Sequence, residues 1–309
     1  MEMRQVLAAE LDRLMAENEN IVVIDADLSK PNGVAELRKK YPDRAFDVGI
    51  AEQNMASVAA GMSSYGFVPF ITTFTPFATR RICDQIAISM AYAKQNVKII
   101  GSDPGISAEF NGGTHMSVED IGVIRSIPDV VIFEPVDTIQ FKKVLPQIVD
   151  YPGVVYIRMF RKAIPDVFDE NDSFELLKAT TIQEGSDLAI FCSGLMVQET
   201  MLANELLKKE GISAEIINIH TIKPIDREVV VASAKKTGAV LTVENHNVIG
   251  GLKSAVCEVL MEEYPVPLRA IGINDVFGQV GKMPYLKEVY RMRKEDIVAA
   301  AKEVVQLKK

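Results

Sequence analysis

Short apolar runs alternate with amphipathic stretches along nearly the whole chain. Val6, Leu7, Leu11, Leu14 and Met15 recur at helical spacing and predict a first helix with one apolar stripe. Ile21-Val22-Val23-Ile24 then forms a continuous apolar run ending at Asp25 and Asp27, the pattern of a parallel strand buried on both faces. Further strands are predicted at 67–72, 97–101, 130–133 and 154–158. Helical patterns lie between them, at roughly 53–63, 76–93 and 137–149, the last with Asp137 as its N-cap. From Arg161 to Gly185 the rhythm breaks. Pro165, the polar run Asp169-Glu170-Asn171-Asp172 and scattered apolar residues read as a linker. Beyond it, strands at 188–192, 214–219, 239–244 and 268–273 alternate with helices at 197–210, 226–237, 252–263 and 295–306. The pattern predicts an α/β protein of two domains, each a mostly parallel sheet flanked by helices, over 1–165 and 185–309 with a linker at 166–184.

Composition narrows the function classes. Across 309 residues, 34 Lys and Arg face 42 Asp and Glu, a net charge of −8 that argues against nucleic acid as a partner. Trp is absent, so the cores are expected to be mainly aliphatic. Cys83, Cys192, Cys257, His115, His220 and His246 are far apart, with no spacing that suits structural zinc or a disulfide framework. A metal held by this chain alone would need carboxylates and carbonyls. The opening Met-Glu-Met-Arg, with Glu10 and Asp12 close behind, is not a signal-peptide pattern. No apolar run approaches the ~18 residues of a membrane helix. A cytoplasmic protein without a membrane partner is the expectation. No dinucleotide fingerprint or P-loop is present.

Five segments carry candidate chemistry. Glu52 sits between apolar Val48 and Ile50 and the small residues Ala56, Ala59, Ala60 and Gly61. A carboxylate in such surroundings needs a partner or a raised pKa, as a general acid or base does; a helix-start glutamate favoured by the helix dipole is the plainer reading. The small residues suit close helix approach, across a subunit interface or within one chain. Phe74 and Phe77 fall where a strand ends and a helix begins, the edge at which parallel sheets bind ligands. They suit either a flat heterocycle or ordinary core packing. The Gly- and Pro-rich loop from Asp103 to His115 again follows a strand, with Thr114 or Ser117 as candidate caps of the next helix. Arg158, Arg161 and Lys162 place cations at a strand end, where a phosphate or carboxylate would suit them. Gly250-Gly251 fits an anion at a helix start or a tight turn equally well.

Together these segments resemble the C-terminal half of transketolase in its separately encoded, small-subunit form. The resemblance rests on Asp47-Val48-Gly49-Ile50-Ala51-Glu52-Gln53, on Gly113-Thr114-His115 with Val118-Glu119-Asp120, on Ile127-Pro128-Asp129 leading to Pro135-Val136-Asp137, and on Glu244-Asn245-His246 with Gly250-Gly251. It covers a pyrimidine-binding domain and a transketolase C-terminal domain, and implies thiamine diphosphate as cofactor. Under it, Glu52 matches the acid that hydrogen-bonds the aminopyrimidine, and Phe74 and Phe77 match the aromatics stacked on that ring. Arg80 replaces a third aromatic of the pocket. His115 matches a histidine that bonds substrate oxygens near the reacting carbon. Arg158 and Arg4 match arginines that bind a sugar-phosphate group.

The departures bear on substrate choice. Asp103 stands where the family has a phosphate-associated histidine, Asn111 where many members have an aspartate that reads hydroxyl stereochemistry, and Pro31 where a phosphate-binding serine is common. The Gly-Asp-Gly … Asn segment that binds Mg²⁺ and diphosphate belongs to the family's N-terminal half and is absent from this sequence. The resemblance therefore implies a larger partner subunit carrying the Mg²⁺ ligands, two copies of each chain, and transfer of a two-carbon ketol unit from a ketose, phosphorylated or not, to an aldose. Related alternatives are a 2-oxo-acid dehydrogenase β subunit and a deoxyxylulose-phosphate-synthase-like enzyme. An assembly subunit without catalysis is the alternative of another class.

Overall fold

A computed structural model describes residues 1–308. Its strands are β1 (Ile21–Asp25), β2 (Ala45–Asp47), β3 (Val68–Phe74), β4 (Lys98–Ser102), β5 (Val131–Phe133), β6 (Val155–Met159), β7 (Thr180–Gln183), β8 (Leu188–Cys192), β9 (Ala214–Asn218), β10 (Thr221–Lys223), β11 (Val240–Asn247) and β12 (Leu268–Ile273). They form a seven-stranded sheet ordered β10-β5-β6-β4-β3-β1-β2 and a five-stranded sheet ordered β12-β11-β8-β9-β7. All pairings are parallel except β10 with β5 and β7 with β9. The α/β reading therefore holds: the central strands β1, β4, β6 and β8 are buried along their whole length, as sheets covered on both faces require. Among the described residues no helix is long and apolar enough to cross a membrane.

Three features depart from the expected pattern. First, the linker is not wholly irregular, because Thr180–Gln183 pairs antiparallel with β9 and opens the second sheet. Its four half-exposed or exposed residues offer no apolar run to read. Second, β10 belongs by sequence to the second half but adds to the edge of the first sheet, so the halves share a strand. Third, the expected helix over 76–93 is broken. Thr75–Ala78 is a short turn of helix, Arg80–Ile82 a 3₁₀ turn, and Gln85–Tyr92 a π-helix. Thr79, at φ −127° and ψ −87°, makes the first break.

An ionic cluster lies between the halves. Arg158 on β6 has a side chain with no solvent exposure and donates to Asp120 Oδ2 at 2.7 Å, to Asp120 Oδ1 at 3.2 Å and to Glu134. Nη2, which also meets Asp120 Oδ1, reaches across to the Asn245 carbonyl at 2.7 Å. Tyr156 donates to Asp120 at 2.8 Å. Burial pushes the Asp120 carboxyl up, but the charges of Arg158 and His246 and the hydrogen bonds from Arg158 and Tyr156 together outweigh it and hold the carboxyl below its ordinary range. Arg158 is thus withdrawn from any sugar-phosphate role: a guanidinium sealed in the interior and saturated by carboxylates has no face left for a ligand. Asp120 serves this cluster, and the helix Asp120–Arg125 has no side-chain cap from Thr114 or Ser117.

Asp137 is the N-cap of the helix Thr138–Asp150, accepting from Gln140 N at 2.8 Å, and its other oxygen takes Val167 N and Phe168 N at 2.8 and 2.9 Å. It therefore fastens the irregular segment as well as the helix. Asp137→Ala is expected to lower stability by about 2–3 kcal/mol in chemical denaturation. A change within error of zero would show that water replaces these bonds. Arg158→Met, which leaves Asp120 and Glu134 buried without a counter-charge, is expected to cost about 3–5 kcal/mol. Wild-type unfolding in that variant would contradict the structural role given to Arg158.

Candidate active site

Every residue of the candidate site except Arg4 ends or follows a strand of the first sheet at its carboxyl edge, where parallel sheets leave room for ligands. After β2, Asp47 Oδ1 accepts from Gly49 N at 2.7 Å and from Asp27 N at 3.0 Å, while Arg38 pairs with its other oxygen. Gly49, at φ +76°, takes the left-handed conformation that this turn requires. The turn delivers Glu52 to the first position of the helix Glu52–Ser64, where an acid is favoured by the helix dipole. Glu52 is only 5% exposed. Ala56, Ala59 and Ala60 of the same helix are buried within this chain, so ordinary packing accounts for them.

The partner that the sequence pattern demanded for Glu52 is Arg81, whose Nη1 donates to Oε1 at 2.6 Å. The same guanidinium lies 3.7 Å from the centroid of the Phe77 ring. Arg80, which the resemblance put in the place of a third pocket aromatic, instead turns away and pairs with Glu119 at 2.7 Å. The break at Thr79 shifts the register by a residue, so the arginine one position later faces the site. Helical spacing counted from Phe77 could not reveal that.

Phe74 and Phe77 are half-buried, with ring centroids 6.3 Å apart. The His115 ring meets both edge-on, at 5.9 Å from Phe74 and 5.2 Å from Phe77. Thr114 Oγ1 engages His115 Nδ1 at 2.8 Å, which leaves Nε2 facing outward from that pair. The loop carrying His115 begins at Asp103, directly after β4. Asn111 lies exposed at the end of its 3₁₀ turn, Gly105–Asn111.

On the other flank, Arg161 stands 4.8 Å from the Phe74 ring centroid and holds Asp103, Nε to Oδ2 at 2.6 Å and backbone N to Oδ1 at 3.2 Å. Asp103 is 2% exposed, and burial keeps its carboxyl above the ordinary range against the pull of Arg161. Arg161 Nη1 also donates to the Pro31 carbonyl at 3.2 Å, as Arg4 Nη1 does at 3.4 Å. Arg4 reaches this edge because Met3 N and Arg4 N bond to the carbonyls of Lys162 and Arg161. It further pairs with Glu2 at 2.7 Å. The structure thus joins Glu52, Arg81, Phe77, His115, Phe74, Arg161 and Asp103 into one row of contacts, with Pro31 and Arg4 at its end. The cation beside Asp103 is Arg161, three residues beyond the one assigned from sequence.

The Gly250-Gly251 turn is already filled by a carboxyl of this chain. Glu244 accepts from Leu252 N at 2.7 Å and Lys253 N at 2.9 Å, and a side chain on Gly251 would overlap its Oε2. Among the described residues, no group of His, Cys, Asp and Glu is arranged to hold a metal ion.

Residues 1–166 match the pyrimidine-binding domain of transketolase, and residues 177–297 match the transketolase C-terminal domain. The 6-deoxy-6-sulfo-D-fructose transketolase subunit SqwH of Clostridium sp. (strain MSTE9) is 50% identical over 292 residues, covering 94% of this chain and 91% of that protein. An apulose-4-phosphate transketolase subunit of Phocaeicola vulgatus is 36% identical over 295 residues, covering 95% and 94%. A solved structure described as a split gene transketolase, inactive beta4 tetramer, is similar with a TM-score of 0.92 at 41% identity and covers 100% of both chains. With its two halves matched in this order, the chain belongs to the transketolase family.

Proposed function

We propose that this chain is the small subunit of a thiamine diphosphate-dependent transketolase, moving a two-carbon ketol unit from a ketose to an aldose together with a larger subunit. The observation that carries the reading is the buried acid Glu52 at a helix start beside two half-open aromatic rings and a histidine. A flat aminopyrimidine fits that set: a carboxyl for a ring nitrogen and ring faces for stacking. Bound there, the cofactor supplies a nucleophilic thiazolium carbon and an electron sink for carbon–carbon cleavage. Glu52 holds the proton at the pyrimidine nitrogen. Arg81 fixes the carboxyl of Glu52, and Phe74 and Phe77 orient the ring. His115 Nε2, with Nδ1 engaged by Thr114, holds or moves a proton at a substrate oxygen near the reacting carbon.

The larger subunit supplies the diphosphate and Mg²⁺ half of the site, with two copies of each chain in the complex. Two relatives named as subunits and a solved relative described as an inactive tetramer of β chains support that division. The far end of the donor is read by Arg161 and Arg4. Both cations are already paired, Arg161 with Asp103 and Arg4 with Glu2, so a charged end group has to share or displace a built-in carboxylate. The names of the relatives, a sulfo-sugar and a sugar-phosphate transketolase subunit, are compatible with a charged end group.

The chain alone is expected to show no ketol transfer with thiamine diphosphate and Mg²⁺, and to gain it on addition of the larger subunit. Turnover by the isolated chain would defeat the two-subunit reading. In the complex, Glu52→Gln is expected to lower kcat by about 100-fold or more with the fold intact by circular dichroism. Near-native turnover would remove Glu52 from the mechanism. Arg161→Ala is expected to raise KM by about 10-fold or more for ketoses with a charged terminus while leaving uncharged ones little changed. An equal effect on both would detach Arg161 from end-group recognition.

A further inference from the structure

The loop that carries Asp103 and His115 is fastened at its base by the second half of the chain. Asn245, near the end of β11 and fully buried, accepts from Ile106 N at 2.9 Å through Oδ1 and donates to the Pro104 carbonyl at 2.9 Å through Nδ2. Both polar ends of one side chain are thus spent on backbone groups of the loop's first turn. Gly105, between them, adopts φ +53° and donates to the Ser117 carbonyl at 2.8 Å, closing the loop's two ends on each other. A Cβ on Gly105 would overlap Asn245 Oδ1, so the amide occupies the space that glycine leaves. The returning end is held by the same strand: Asn247 N donates to Val118 O at 2.8 Å, and Gly122 N faces His246 Nε2 at 3.4 Å. The Asn245 carbonyl is in turn fixed by Arg158.

We propose that Asn245 is a positioning residue for ketol transfer, acting from the C-terminal domain to hold the 103–117 loop so that His115 faces the aromatic pair and Asp103 meets Arg161. The proposal rests on the functional reading above and adds a task for the second domain, whose residues touch none of Glu52, Phe74 or Phe77 through this contact. Asn245 meets no substrate; it acts through the loop backbone. Its amide is the group suited to the place, since one end must accept and the other donate. Aspartate keeps the bond from Ile106 N and loses the one to Pro104 O; alanine loses both.

The test compares Asn245→Ala and Asn245→Asp with the wild type. In the complex with the larger subunit, cofactor and Mg²⁺, the alanine variant is expected to lose about 10- to 100-fold in kcat, the scale of a small misplacement of reacting groups. The aspartate variant falls between, and the cofactor concentration for half-activation stays at the wild-type value because Glu52, Phe74 and Phe77 lie off the loop. In the full chain without cofactor, the Ile106 amide is expected to exchange hydrogen about 10-fold faster or more in Asn245→Ala. Native kcat, KM and exchange, with only a lower unfolding temperature, would reduce Asn245 to a packing residue and overturn the proposal. Should the alanine variant fail to fold, the same readouts on Asn245→Asp decide it. If the wild-type complex transfers no ketol unit, the functional reading fails, and exchange at Ile106 alone decides whether Asn245 holds the loop.

Discussion

The rest of the structure depends on the sealed contact of Arg158 with Asp120 and Glu134. Burying these charges costs several kcal/mol for each ion, and only near-complete hydrogen bonding offsets it. With the two halves docked that condition is met except at Glu134 Oε2, which has no partner, and one guanidinium N–H has its acceptor in the Asn245 carbonyl of β11. Separation would leave a buried donor without an acceptor. Glu244 belongs to the same balance. Burial pushes its carboxyl up to about 8, against the two backbone N–H bonds and Arg158, so near neutral pH it is mostly protonated. A third ionised acid beside one arginine is thereby avoided. His246, packed against Asp120 and Glu244, is held neutral in the same way, its pKa lowered first by burial.

Docking geometry matters because the candidate site is assembled from loops rather than from the sheet itself. Parallel strands β2, β3, β4 and β6 deliver Glu52, the Phe74–Arg81 segment, the Asp103–His115 loop and Arg161 in turn, all from the carboxyl edge of one sheet. Each arrives by a different device. Asp47 builds the turn before Glu52, the break at Thr79 turns Arg81 inward, and the second domain pins the loop before His115. The rim cations are paired before any substrate arrives: Arg161 with Asp103, Arg4 with Glu2, and Lys162 with Glu109. An incoming anion therefore competes with built-in carboxylates, and its charge and reach decide the outcome more than a general positive field does.

The sequence disclosed what depends on period and missed what depends on register. Continuous apolar runs marked β1, β6 and β8, since a strand covered on both faces has no polar alternation to hide it. Glu52 was conspicuous because an acid among apolar and small residues needs an explanation wherever the chain goes. Arg80 and Arg81 are adjacent and chemically identical, so only the break at Thr79 decides between them, and that break follows from tertiary packing rather than from propensity. Arg158 and Arg161 differ in the same way. Both sit near a strand's end, but Arg158 is a residue of β6, which is buried on both faces, while Arg161 lies beyond the last pairing, at Met159. The exchange of roles between these arginines thus has one cause. Charge type was legible in the sequence, whereas the side to which each charge points is set by where a strand stops and where a helix breaks.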